Sequence, residues 1–178
     1  NSLVDPSGST AVTASIATLN ASNAGTIAFK RADGKYLIGN GGGNTSNIYD
    51  PVADTFTNGS VPGTAWGAGS LSLPRPDGQA LMIIGGATST TVVYNPNSSA
   101  LGAFSTGPSL DGVQAAGTCG INGNGSVALR RSDGKYVIVS KASVSTIYDP
   151  VANTFTCRSA NGPASALGDG AHAIPLQN

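Results

Sequence analysis

Catalysis in this chain would have to run through very few side chains. His172 is its single histidine, set in GAHAIPL. A Ser-His-Asp relay would need that imidazole as its base, yet no G-x-S-x-G turn or equivalent presents a serine to it. His172 therefore reads as a hydrogen-bonded residue of an inner strand. Zinc could draw on His172, Cys119 and Cys157, but neither C-x-x-C nor H-x-x-x-H spacing gathers the donors. All nine acidic residues are Asp and none is Glu, which removes the usual paired-carboxylate glycosidase and leaves only Asp pairs for that chemistry. Most of the aspartates have a simpler account. Asp5, Asp50 and Asp149 end strands ahead of a proline, and Asp33, Asp77 and Asp133 sit in Asp-Gly turns. The reading is of a non-enzyme: no catalytic residue, no cofactor and no metal ligand is expected.

Composition narrows the partners as well. Of 178 residues only 10% are charged, and the formal net charge is zero. Nothing calls for nucleic acid or an acidic membrane surface, and no apolar stretch is long enough to insert in a membrane. Gly, Ser, Thr, Asn and Ala dominate, which favours turns and short strands over helices.

The elements that would position these residues come from a repeat. RADGKYLIGNGGGNTSNIYDPVADTFT (31–57) returns as RSDGKYVIVSKASVSTIYDPVANTFT (131–156), with a looser copy, RPDGQALMIIGGATSTTVVYNPNSSALGAFST (75–106), between them. A fragment, LVDPSGSTAVTAS (3–15), opens the chain. The Asx before each proline falls at Asp5, Asp50, Asn95 and Asp149, spaced 45, 45 and 54. Each copy reads as four strands. Strand a is apolar and ends in a basic residue (TIAFKR, SLSLPR, SVALRR). An Asp-Gly hairpin of type I′, with both central residues at positive φ, leads to strand b. KYLIGN, QALMIIG and KYVIVS are nearly continuous apolar runs and read as strands covered on both faces. Strand c ends at the Asx-Pro pair, and strand d carries Phe56, Phe104 or Phe155.

The pattern resembles Kelch repeats. Gly41-Gly42, Tyr49 and Phe56 match the family's glycine doublet, strand-c tyrosine and strand-d aromatic, as do Gly85-Gly86, Tyr94 and Phe104. The third copy keeps Tyr148 and Phe155 but has Ser140-Lys141 for the doublet, and Phe stands wherever the family prefers Trp. The resemblance implies an all-β fold of Kelch-like β-propeller blades, similar to those of galactose-oxidase-like enzymes. Their copper centre uses two His and two Tyr, one cross-linked to Cys, and a chain with one His cannot build it alone.

The reading gives a partial blade of strands c and d at 1–24, a blade at 25–65, a second at 66–114, a third with an insertion at 115–168, and a lone strand a at 169–178. One strand b is missing between the two ends. Three explanations compete: part of a larger propeller, part-blades completed by another copy in a ring or filament, or a small imperfect four-bladed ring. The a–b and c–d turns share one face, with Lys30, Arg31, Lys35, Arg75, Arg130, Arg131 and Lys135 as a solvated rim laced with turn aspartates. The other face is neutral and polar and carries Asn20, Asn44, Asn58 and Asn124; with Asn97 these are the five glycosylation sequons. Carbohydrate contact belongs to that face if anywhere.

The ring side chains read as packing between blades. Trp66, in PGTAWGAG between two blades, has no counterpart in the other copies and is the candidate for ligand or partner contact. Cys119 and Cys157 emerge on the same face about three strand spacings apart, roughly 14 Å, too far to bridge unless the insertion spans the gap. A Cys119–Cys157 disulfide is the expectation, and with it an oxidising, extracellular or cell-surface location. Functionally the chain reads as an extracellular structural or binding module that self-associates or binds another protein, assembling head-to-tail into a fibre in its sharpest version. The alternative is the scaffold portion of a larger secreted Kelch-type oxidase or carbohydrate-active enzyme.

Overall fold

The computed structural model describes residues 23–86, 90–110, 126–139, 145–158 and 167. These form three four-stranded antiparallel sheets, and no helix occurs among the described residues. Sheet 1 contains β1 (Ile27–Lys30), β2 (Tyr36–Gly39), β3 (Ser46–Asp50) and β4 (Thr55–Asn58). Sheet 2 contains β5 (Leu71–Pro74), β6 (Ala80–Ile83), β7 (Thr91–Asn95) and β8 (Ala103–Thr106). Sheet 3 contains β9 (Val127–Arg130), β10 (Tyr136–Val139), β11 (Ser145–Asp149) and β12 (Thr154–Arg158). Strand order follows chain order in each. The terminal segments read as partial blades, 1–24 and 169–178, lie outside the described residues except for Asn23 and Ala24.

The first hairpin of each sheet differs from the expected type I′ turn. Among the described residues only Asp54 and Asn153 have positive φ without being glycine, so Asp33, Asp77 and Asp133 do not. The loop holds three residues instead of two. The Gly34 N–H donates to the Arg31 carbonyl at 3.2 Å, and the Arg31 N–H donates to the Lys35 carbonyl at 2.8 Å. Arg75, Gly78 and Gln79 repeat this pattern, as do Arg131, Gly134 and Lys135. This is a type I turn closed by a glycine in the left-handed region, with Gly34 at φ 83°, a standard three-residue hairpin. Pro76 suits the first corner of such a turn, because its ring holds φ near −65°. The aspartate earns its place through its side chain: Asp33 Oδ1 accepts the Lys35 N–H at 3.1 Å, and Asp77 and Asp133 do the same for Gln79 and Lys135.

At the third strand's end, the Asx side chain accepts backbone N–H groups from the turn that follows. Asp50 Oδ1 takes those of Val52 and Ala53, Asp149 those of Val151 and Ala152, and Asn95 that of Asn97. The chain then passes through a left-handed residue before the fourth strand: Asp54, Gly102 or Asn153.

Sheet 2 lies between the other two. One core joins Ile27, Phe29, Leu37 and Ile48 of sheet 1 to Ala80, Met82, Val92, Tyr94 and Phe104 of sheet 2. The second joins Leu73, Leu81, Ile83 and Val93 on the opposite face of sheet 2 to Tyr136, Ile138, Tyr148 and Phe155 of sheet 3. The first strands of successive sheets approach one another, β1 with β5 and β5 with β9. Only the sandwiched sheet has a second strand buried throughout. All four residues of β6 are buried, whereas β2 and β10 alternate between buried and half-buried positions. The apolar runs in those outer strands are therefore fully buried on one face and half-buried on the other.

The glycine doublet has a local cause. A Cβ on Gly85 would meet the Ala68 carbonyl oxygen at 2.1 Å, so only a glycine lets the incoming connection lie against it. Gly86 then adopts φ 87°, a conformation side chains resist.

Candidate functional site

The polar groups that could do something specific are gathered at the joints between sheets. Arg31 ends the first strand of sheet 1 and reaches across to sheet 2. Its guanidinium donates to the Tyr94 hydroxyl at 2.9 Å and to the Pro96 carbonyl at 3.4 Å. It also forms an ion pair with Asp33 of its own turn at 2.9 Å. Arg75 repeats the reach one sheet on, donating to Asn153 Oδ1 at 2.9 Å while pairing with Asp77 at 3.0 Å. Each arginine thus bolts the first turn of one sheet to the third-strand turn of the next. The receiving turn is itself stiffened by its tyrosine. Tyr94 donates to the Leu101 carbonyl at 2.9 Å, and Tyr148 donates to Asn153 Oδ1 at 2.8 Å. Burial raises the pKa of both phenols. The Tyr136 hydroxyl adds a third link, donating to the Pro74 carbonyl at 2.7 Å.

These arginines are a correction to the expected solvated rim. Side-chain exposure is 5% for Arg31 and 13% for Arg75, against 43% for Arg131. The sequence held a signal: the residue two before each turn aspartate is Arg in all three copies and never Lys. A forked, planar cation is what a joint with several acceptors requires.

Trp66 is also corrected. Its side chain is 0% exposed, so it presents no surface to a ligand. It fills the joint between sheets 1 and 2, its ring edge-on to Phe104 with centroids 5.9 Å apart. Its indole N–H donates to the Thr45 carbonyl at 2.9 Å, and its backbone exchanges bonds with Gly42 and Gly43. Gly39 leaves it room, since a Cβ there would lie 2.7 Å from the ring. Leu110, in the connection that follows sheet 2, is equally buried in the second core.

Other candidate chemistry is sparse. Among the described residues, no group of three His, Cys, Asp or Glu could hold a metal ion, and no helix is long and apolar enough to cross a membrane. A recess lined by Pro76, Arg130, Asp133, Lys135, Asp149 and Val151 has a volume of about 160 Å³. That is well under the roughly 300 Å³ at which small-molecule sites begin, and two of its charges already pair within the wall, Lys135 with Asp149 at 2.8 Å. Cys157 is disulfide-bonded; Cys119 lies outside the described residues. Of the sequon asparagines, Asn44, Asn58 and Asn97 are exposed, while Asn20 and Asn124 lie outside the described residues, as does His172.

No family model matches the sequence, and no curated protein does. The fold, in contrast, has solved counterparts. The structure of YjhT is similar over 80% of this chain, with a TM-score of 0.50 and 12% sequence identity. The match takes in 49% of the YjhT chain, so this chain spans about half of that one. Identity at this level speaks for the fold alone.

The turn carboxylates give the chain a pH dependence. Lys135, followed by the backbone N–H of Ala152, lowers the Asp149 carboxyl from its ordinary 3.8 to about 2. Lys35 and the Ala53 and Val52 N–H groups lower Asp50 in the same direction. A carboxyl that binds its proton less tightly when folded stabilises the fold above its unfolded pKa. That contribution is lost as pH falls through the folded value. Urea midpoints are therefore expected to decline between about pH 4 and pH 2. The double variant Asp50→Asn/Asp149→Asn, measured alongside, should show a shallower decline; an unchanged slope would refute this assignment.

Proposed function

We propose that this chain is a non-catalytic β-propeller module, Kelch-like in its repeat, that serves as an extracellular building or binding unit and associates end to end with further copies of itself. The observation that carries this reading is that its two outer sheet faces are the two unlike halves of one repeated joint. Each internal joint sets a largely aliphatic face against one that carries a strand-c tyrosine and a strand-d phenylalanine. The largely aliphatic half is Ile27, Leu37 and Ile48 with the ring of Phe29 in the first joint, and Leu73, Leu81, Ile83 and Val93 in the second. The aromatic half is Tyr94 with Phe104, then Tyr148 with Phe155.

Sheet 3 offers another aliphatic half: Val127, Leu129, Val137, Val139 and Ile147, which the strand register places together on the face turned away from sheet 2. Sheet 1 offers another aromatic half, Tyr36, Ile38, Tyr49 and Phe56. Both end faces remain partly open. Leu129 is 36% exposed where its counterpart Leu73 is 1% exposed, and Tyr49 is half-buried where Tyr94 and Tyr148 are fully buried. Apolar faces of this kind gain from being covered, at about 25 cal/mol per Å². Unlike halves join heterologously, and such contacts propagate into rings or filaments.

Disulfide-bonded Cys157 supports placing the protein in an oxidising compartment. The sparse catalytic repertoire supports a structural or binding role over an enzymatic one. Electron microscopy of the purified chain tests this reading: rings or filaments of regularly spaced units support it, and isolated single particles at all concentrations argue against it.

A further inference from the structure

End-to-end association, the reading proposed above, leaves open what would select a copy of this chain over any other apolar surface. The internal joints supply the comparison. In each, an arginine of the R-x-D-G turn crosses to the turn after the next sheet's third strand. The first finds the Tyr94 hydroxyl and a carbonyl; the second finds Asn153 Oδ1. Both sets of acceptors are neutral.

The two outer sheets among the described residues repeat this geometry with a different pairing. Arg131 occupies the position of Arg31 and Arg75 on sheet 3, is 43% exposed, and among the described residues pairs with Asp133 of its own turn, at 3.0 Å. On sheet 1 the receiving turn is complete. Tyr49 donates to Asp54 Oδ1 at 2.9 Å, as Tyr148 does to Asn153. Asp54 and Asn153 share the same left-handed backbone, at φ 52° and 55°. The carboxylate of Asp54 raises the Tyr49 pKa, as a negative group held against a phenol should. Sheet 1 thus presents the receiving turn that sheet 3 presents to Arg75, with one change: the neutral amide is a carboxylate.

We infer that the recognition element of the assembly is an Arg131 to Asp54 latch, in which the guanidinium of one copy seats on the carboxylate of Asp54, beside the Tyr49 hydroxyl, in the next. The occupant of the sheet 3 end face is a second copy of this chain, because the aromatic face of sheet 1 repeats the aromatic face of sheet 3 nearly residue for residue. Tyr36, Tyr49 and Phe56 correspond to Tyr136, Tyr148 and Phe155. Charge complementarity also favours that partner: the junction between copies would be an ion pair where the internal joints have none between sheets. A rim ion pair of this kind is screened by salt, so association should weaken as salt rises while the internal joints hold.

Charge exchange tests the latch. Arg131→Glu and Asp54→Arg, each alone, would set like charges together at every junction. Each variant is expected to associate roughly tenfold or more weakly than the unmodified chain in sedimentation experiments at low salt. An equimolar mixture of the two variants restores opposite charges at every junction and should regain the lost association. Asp54→Asn, which copies the amide of Asn153, should fold normally, associate and lose most of the salt dependence. Circular dichroism confirms that each variant is folded. If the unmodified chain associates but the single variants do so equally well, the latch is overturned and end-to-end assembly stands. If mixing fails to restore what the single variants lost, the latch is likewise overturned. If the unmodified chain stays monomeric throughout, the end faces serve some other partner and both proposals fall.

Discussion

Trp66→Ala is expected to destabilise the fold by about 3–5 kcal/mol, the usual cost of emptying a large aromatic site in a core. For a chain of this size the melting temperature would fall by roughly 2–4 °C per kcal/mol. Two losses combine. The indole fills the joint between sheets 1 and 2 against Phe104, and its N–H gives the Thr45 carbonyl a second bond beside that from the Asn40 N–H. Trp66→Phe separates them: a ring remains, the donor is lost, and the cost should drop to about 1–3 kcal/mol. Trp66 is the single tryptophan, so unfolding of these variants must be followed by circular dichroism instead of tryptophan fluorescence. A loss below about 1 kcal/mol for the alanine variant would mean that Trp66 is not buried as described.

Arg31→Ala is the second large effect. Asp33, its ion-pair partner, is 42% exposed, so removing the guanidinium strands no buried carboxylate. The cost comes from the bonds to the Tyr94 hydroxyl and the Pro96 carbonyl, which cross between sheets. Bonds to a charged donor place it at about 1.5–3 kcal/mol. Arg31→Lys should recover only part of this, because an ammonium cannot fork between Tyr94, Pro96 and Asp33. Arg131 supplies an internal control. The same substitution there, in dilute protein, should shift stability by no more than about 0.5 kcal/mol, because its side chain is 43% exposed. Urea midpoints of the two alanine variants decide the matter, and equal losses would contradict the distinction between a buried joint and an open end.

Much of this architecture was legible in the sequence because each strand boundary carries its own chemical marker. The Asx-Pro pairs closed the third strands, and the three-fold return of Asp-Gly located the first hairpins. Turn type was less accessible. Asp-Gly satisfies both a two-residue and a three-residue hairpin, and what separates them is the bond register at Arg31 and Lys35. Pro76 was compatible with the longer loop, but only once the turn was known to begin at Arg75.

Burial between sheets was legible for the repeated rings Tyr94, Phe104, Tyr148 and Phe155, but not for Trp66, Arg31 and Arg75. Trp66 sits among glycines and small residues that read as an exposed loop, yet its indole is buried, in room left by Gly39 of the second strand of sheet 1. Arg31, Arg75 and Arg131 have the same local sequence and different environments. Nothing within a single repeat says which copy has a neighbour on that side. The aliphatic and aromatic faces were present in the strand alternation all along, but their meaning as two halves of one joint emerged only when the cores on either side of sheet 2 were seen.

Joining of the two outer faces between copies should be visible in light scattering on size-exclusion fractions over a wide concentration range at low salt. Masses are expected to rise with concentration in multiples of the 17.5 kDa chain. A single mass of 17.5 kDa at every concentration would contradict such joining.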